Sequence, residues 1–394
     1  MNPSVMNIAG LRKAAASRLP RPIFDYIDGG AEDEIALSRS VTGFDRYELE
    51  PRMLVDVSQL ETATTLFGRS VPWPLMLSPT GLTRLFHPDA ELGVAQAAEA
   101  AGLPYCLSTL GTTTMEDLAR SMSAPKLFQI YIFKDRGLTR EFIQRAKEAA
   151  FDGLVLTVDT LVAGKRERDL VNGLTLPPRL TPRTFFDFAR RPGWSLPVLF
   201  GRKFDFVNVA HRVTAMDGGV TSLAAYVNGQ FDRSLTWRDV EWLASEWGGP
   251  LAIKGVLSAA DARQAEACGA DTVMVSNHGG RQLETAIPPI DAVAPIADAV
   301  GGRVKIICDG GIRRGVHMLK ALALGADACS IGRPYLYGLA AAGSAGVARA
   351  IAILLDEFER CMILAGAPDL ASLDRSLVKE LSREILKEAR PHGE

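Results

Sequence analysis

The octapeptide Ser276-Asn277-His278-Gly279-Gly280-Arg281-Gln282-Leu283 puts an imidazole and a guanidinium three residues apart, with two glycines between them. An imidazole can take up a proton near neutral pH. A guanidinium can grip a carboxylate through two parallel hydrogen bonds. The glycines let the backbone bend so that both side chains face one pocket. The pair suits removal of a proton from a substrate that carries its own carboxylate.

Two glycine-rich turns supply a different chemistry. Asp309-Gly310-Gly311-Ile312-Arg313 and Gly332-Arg333-Pro334 each follow an apolar run. Paired glycines free backbone N–H groups to approach an anion, and a following helix N-terminus adds a favourable dipole. Arg313 and Arg333 add charge. Asp309 is an acceptor suited to a sugar-chain hydroxyl. Lys254 ends another apolar strand, where a buried ammonium needs a partner. It reads as a Schiff-base nucleophile, as a fixed charge beside an anionic cofactor, or as half of a structural ion pair. Ser108, Gln129, Thr157 and Ser276 are neutral donors and acceptors able to hold a heterocycle edge-on. A phosphate at one end, a polar ring in the middle and a cation beside it describe flavin mononucleotide (FMN).

Eight short apolar runs must position these groups. They are Leu75 to Ser78, Tyr105 to Ser108, Phe128 to Tyr131, Leu154 to Val158, Leu251 to Lys254, Thr272 to Ser276, Lys305 to Cys308 and Ala328 to Ile331. Near-continuous apolar strands belong to a parallel sheet covered on both faces. Helical patterns lie between them, over 89–101, 259–268 and 315–324 for example. The expected fold is α/β, a (β/α)₈ TIM barrel. The polar residues sit at the C-terminal ends of the runs, the face on which barrel active sites are built. Residues 1–394 are expected to form a single domain, with a helical preface over 1–70 and a long inserted loop over 164–237, after the fourth strand.

Composition narrows the function. A net charge of -2 gives no global field for nucleic acid. The five cysteines show no CxxC spacing, which argues against a metal site and fits a reducing compartment. The start, Met1-Asn2-Pro3-Ser4-Val5, lacks a signal-peptide layout. The most membrane-like stretch, Ala340 to Leu355, is interrupted by Arg349.

On these motifs the chain resembles the FMN-dependent L-2-hydroxy acid oxidases and dehydrogenases, over roughly Leu11 to Ala371. Asp25 to Glu34 and Arg166 to Leu170 are most similar to the bacterial (S)-mandelate and L-lactate dehydrogenases. The resemblance implies that His278 is the active-site base and that Asp159 stabilises its protonated form. It implies that Arg281 and Tyr26 bind the substrate carboxylate with support from Arg166, and that Tyr131 bonds the substrate oxygen. Lys254 would lie beside the flavin ring. Pro79, Thr80, Gly81, Ser108, Gln129, Thr157 and Ser276 would contact the ring and ribityl region. Asp309, Gly311, Arg313, Gly332 and Arg333 would hold the phosphate end. The family also tends to homotetramers. Gly81 stands where many oxidases carry alanine, Leu161 replaces a proline, Lys165 an arginine and Phe133 a tyrosine. Leu110 takes a pocket position that is tryptophan in glycolate oxidase, which suggests room for a larger substrate.

Within the insert, residues 177–212 carry Arg179, Arg183, Arg190, Arg191, Arg202, Lys203 and Arg212 against Asp187 and Asp205. Phe185, Phe186, Phe188, Trp194, Phe200, Phe204 and Phe206 are interleaved. Basic and aromatic residues together suit an anionic bilayer surface. The expectation is peripheral attachment to the cytoplasmic side of the inner membrane, with electrons passed to a quinone. A soluble cytoplasmic oxidase that uses oxygen is the alternative. The rival functions are a Schiff-base aldolase built on Lys254 and a non-catalytic binder of a phosphorylated ligand.

Overall fold

A computed structural model describes residues 5–173, 182–201, 206–209 and 229–381. The eight predicted strands form: β1 (Leu75–Leu77), β2 (Tyr105–Ser108), β3 (Lys126–Ile130), β4 (Gly153–Thr157), β5 (Leu251–Val256), β6 (Thr272–Ser276), β7 (Lys305–Asp309) and β8 (Ala328–Ile331). Each pairs in parallel with its successor, and β8 pairs with β1 to close the barrel. Helices Ala90–Ala101, Ala259–Ala267 and Gly315–Ala323 lie where the periodicity places them.

Side chains alternate along a strand, and that alternation builds the site. The outward set, including Leu75, Leu107, Phe128, Leu156, Ile253, Val275, Ile306 and Ile331, packs in the main core. The inward set forms its own apolar cluster of one residue per strand: Met76, Cys106, Leu127, Val155, Ala252, Met274, Ile307 and Ala328. Two residues further on, the same inward face carries Ser78, Ser108, Gln129, Thr157, Lys254, Ser276, Asp309 and Ser330, all buried. The barrel interior thus changes from apolar to polar within one side-chain layer.

The preface is less helical than its expected reading. Helices α1 (Ile8–Arg18), α2 (Arg21–Asp28) and α3 (Ile35–Thr42) are followed by an antiparallel hairpin, Thr64–Leu66 with Arg69–Val71. Its Leu66, Phe67 and Val71 join the inward apolar cluster and seal the barrel floor. Each such burial contributes roughly 1.5–3 kcal/mol. The segment is too short to show a strand period, so its shape followed from the hole it fills.

Asp28, at the end of α2, ties the preface down. It accepts from Arg12 at 2.5 and 2.7 Å, from Arg168 at 3.1 Å and from the Tyr337 hydroxyl at 2.8 Å. Among the described residues one helix, Arg333–Ala365, is long and apolar enough to cross a membrane. It breaks at Ala342 and Gly343, and Leu339, Val347, Ile351, Leu354 and Phe358 are buried in the core. It is a core helix by contact.

Candidate active site

A cavity of about 510 Å³ opens at the C-terminal end of the strands. Seventeen of the nineteen residues singled out from sequence line it: Tyr26, Pro79, Thr80, Gly81, Ser108, Gln129, Tyr131, Thr157, Arg166, Lys254, His278, Arg281, Asp309, Gly311, Arg313, Gly332 and Arg333. The other two, Asp159 and Ser276, stand one contact behind, bonded to His278 and Lys254.

The loop after β6 is wound tightly. His278, Gly279 and Gly280 all take positive φ, at 57°, 65° and 71°. A Cβ on Gly280 would collide with the backbone of Leu37. A histidine in this region costs of order 1–3 kcal/mol, a kind of strain that gathers at functional sites. The strain aims the ring: His278 Nδ1 lies 2.8 Å from Asp159 Oδ1. Burial pushes the Asp159 carboxyl up, but the facing imidazole and Lys254 outweigh it and bring it down to about 2. Asp159 is therefore charged at every working pH. The stabilisation this gives is present above the ordinary carboxylate range and is lost as pH falls through about 2. With Nδ1–H held by a carboxylate, Nε2 is the free base of the ring.

Lys254 is not a lone nucleophile. Its ammonium lies 3.1 Å from Asp309 Oδ2 and donates to Ser276 Oγ at 3.0 Å. Asp309 also accepts from Ser78 at 2.8 Å and Ser276 at 2.7 Å. Burial pulls the Lys254 pKa down, yet Asp309 and Asp159 carry it above the ordinary lysine value. A lysine held as ammonium cannot attack a carbonyl, which removes the footing of the aldolase reading.

Three half-buried guanidiniums face the cavity and have carbonyls, not carboxylates, as partners among the described residues. Arg281 Nη1 donates to Tyr26 O at 2.6 Å and Gly29 O at 3.1 Å. Arg333 donates to Ile27 O at 2.9 Å, Gly279 O at 2.8 Å and Gly29 O at 2.7 Å. Arg313 donates to Ile312 O at 2.8 Å. Most of these acceptors are unpaired carbonyls at the C-terminal end of α2, the negative end of its dipole. Burial lowers the pKa of all three arginines, and for Arg333, with Arg281 and Arg313 adding to it, down to about 9. Anions in the cavity would relieve that cost. Arg166, by contrast, is paired with Asp169 at 2.7 Å.

Two buried polar atoms complete the picture. Gln129 Nε2 and Ser330 Oγ have no hydrogen-bond partner among the described residues. An orphaned amide and hydroxyl in mid-cavity, with cations bonded only to carbonyls at one end, fit a polar ring carrying a phosphate. Sequence reasoning missed Ser330, Tyr335 and Asp169. Tyr335 donates to Ser78 O at 2.7 Å and sits 2.7 Å from Thr80 Oγ1. Ser330 was detectable by counting two residues on from the inward Ala328. Asp169 was detectable from its spacing to Arg166. Tyr335 had no local signal.

The apolar wall of the cavity comprises Leu82, Phe86, Leu110, Leu170, Phe206 and Phe231. A Cβ on Gly81 would lie 3.1 Å from Leu110 Cβ, so these two share one space.

Comparison with known proteins agrees with this geometry. L-lactate dehydrogenase of Caulobacter sp. (strain K31) is 40% identical over 380 residues, 96% of this chain and 100% of that protein. Glycolate oxidase 3 of Arabidopsis thaliana is 40% identical over 375 residues, 95% of this chain and 96% of its own. The crystal structure of a monotopic membrane protein, (S)-mandelate dehydrogenase, superposes with a TM-score of 0.92 at 36% identity, covering 96% of this chain and 100% of that one. Residues 15–380 match the FMN-dependent dehydrogenases as a family. With the barrel and most of the preface inside that match, the chain belongs to the FMN-dependent 2-hydroxy acid dehydrogenases and oxidases.

Proposed function

We propose that this enzyme oxidises an L-2-hydroxy acid with a sizeable apolar side chain, mandelate-like rather than glycolate-like, to the 2-keto acid. The observation that carries the reading is the His278–Asp159 pair at 2.8 Å, on the same cavity as Arg281. FMN supplies the acceptor for the two electrons that leave the substrate. The protein supplies the rest. Arg281 and Tyr26 bind the substrate carboxylate, and Arg166, braced by Asp169, adds positive potential. Tyr131 stays a neutral phenol, because burial and then Asp159 raise its pKa, so it can donate to the substrate oxygen. His278 Nε2 takes one proton, from the hydroxyl or from the α-carbon, and Asp159 stabilises the resulting imidazolium. Leu110 and Gly81 leave space for the substrate side chain. Lys254 lies where it would offset negative charge on the cofactor. Anaerobic bleaching of the yellow protein by glycolate, lactate, mandelate and longer hydroxy acids tests the assignment. Fastest bleaching by glycolate would overturn the side-chain preference, and bleaching by none would overturn the activity.

Asp159→Asn keeps the shape but removes the charge that favours the imidazolium. Reduction by substrate is expected to slow roughly 10- to 100-fold, one to two decades of lost stabilisation. An unchanged single-turnover rate would show that the carboxylate only packs.

The insert supports peripheral membrane attachment. Helices Pro182–Ala189 and Pro192–Phe200 expose Phe186, Leu196, Leu199 and Phe200, the last at 79%. Leu170 and Val171 are exposed as well. Trp194 anchors the second helix by donating to Leu85 O at 2.6 Å. Arg179, Arg202, Lys203, Arg212, Phe204 and Asp205 lie outside the described residues. An apolar acceptor of the quinone type suits such a surface. The protein is expected to float with phosphatidylglycerol vesicles at low salt, and Leu199→Ser with Phe200→Ser to release it. Enzyme wholly in the soluble fraction at moderate salt would favour the oxygen-using alternative.

A further inference from the structure

His317 is a buried titratable group that the mechanism above does not use. It lies in helix Gly315–Ala323, behind the turn that leaves β7. Its ring stacks on Phe44 with centroids 4.3 Å apart and planes 7° from parallel. Phe44 in turn backs the turn itself. Gly311 has a φ of 78°, and a Cβ there would meet Phe44 Cε2 at 2.9 Å and collide with the Ser40 carbonyl. The turn is thus seated against Ser40 and Phe44 of the preface, with His317 stacked on Phe44.

The contact is specific. His317 Nδ1 lies 3.3 Å from the Arg313 backbone nitrogen and 3.3 Å from Gly311 O. The Arg313 N–H can only donate and the Gly311 carbonyl can only accept, so Nδ1 pairs with one or the other according to the tautomer and is bonded to the turn either way. Burial draws the imidazole down to about 4, with the Gly311 carbonyl opposing it and Lys320, Arg313 and Arg314 adding to it. The ring is neutral. The same Arg313 carries one of the three cavity guanidiniums that have no carboxylate partner.

We propose that His317 is a positioning residue for the phosphate end of the cofactor. By bonding the Arg313 N–H or the Gly311 carbonyl from outside the cavity it fixes the Gly311–Arg313 turn. It thereby sets affinity for the phosphate while leaving affinity for the flavin ring unchanged. The inference rests on the placement of the phosphate at Arg313.

The test compares FMN with riboflavin, which has the ring and ribityl chain but no phosphate. Full-length protein stripped of flavin is titrated with each, and quenching of flavin fluorescence gives the two dissociation constants. His317→Leu is expected to weaken FMN roughly 5- to 10-fold, the value of one lost hydrogen bond. Riboflavin should change by less than about two-fold. His317→Asn, whose amide atoms lie two bonds from Cβ just as Nδ1 does, should restore the FMN-to-riboflavin ratio. His317→Gln, whose amide reaches past that position to where Nε2 stood, should lose it and serves if the leucine variant does not fold. Equal weakening of both ligands, or an asparagine variant as poor as glutamine, overturns the proposal. Arg313→Met separates the two layers of inference. If it leaves the ratio unchanged, the phosphate placement itself is wrong. If it collapses the ratio while His317→Leu and His317→Gln do not, only the role of His317 fails.

Discussion

His278→Gln is expected to yield a yellow protein whose flavin is reduced by substrate roughly 10²–10⁴ times more slowly than in the parent, the ordinary worth of a positioned base. Glutamine keeps a polar amide of similar reach in the cavity, but no atom of it takes a proton at working pH. The backbone cost is shared by both side chains, since residue 278 sits at a φ of 57° whichever it is. Ser276 Oγ accepts the backbone N–H of residue 278 at 3.1 Å, and that contact survives the change. Flavin content and thermal stability should therefore stay near those of the parent, while anaerobic stopped-flow reduction collapses. A variant reduced at the parental rate would remove His278 from the chemistry.

Arg281→Met removes the group proposed to grip the substrate carboxylate. Two charge-assisted hydrogen bonds at about 1.5–3 kcal/mol each correspond to roughly 10²–10⁴ in kcat/KM. The loss should fall mainly on KM if the carboxylate is held equally in ground and transition states. A second effect accompanies it. Tyr26 O and Gly29 O lose a donor, so the turn after α2 loosens and the melting temperature falls. Arg281→Lys keeps a charge but not the fork, and should recover part of the affinity. Steady-state kinetics over a concentration series, with mandelate and with its amide, separate the two contributions. The amide lacks the charge and should lose far less between parent and variant. An equal loss for both would mean that Arg281 shapes the cavity without reading the carboxylate.

Both residues were legible in the sequence because their signal is local. His278 and Arg281 lie three apart on one turn, and the glycines between them announce the bend. The strands were legible for a similar reason, each being a short apolar run ending in a polar residue. What was not legible depends on distance along the chain. The hairpin at 64–71 takes its form from the barrel floor it closes. Tyr335 reaches back to Ser78 across 257 positions. Lys254 read equally as nucleophile, fixed charge or ion-pair partner until Asp309, from two strands away, was seen beside it. The largest gap was the seat of the arginines. Nothing in Arg21–Asp28 says that its last carbonyls serve guanidiniums from the loops after β6 and β8, because a carbonyl looks the same in every residue.

Gly29 has one carbonyl oxygen, and two cations with different proposed roles lean on it: Arg281 at 3.1 Å and Arg333 at 2.7 Å. On those proposed roles, drift at that peptide would disturb reactant recognition and cofactor retention in a single step. A lineage adapting to a new fuel has little freedom at such a hinge. Its freedom lies across the cavity, at Gly81, Leu110 and Phe206, where volume can be traded methyl by methyl while the ionic scaffold stays untouched.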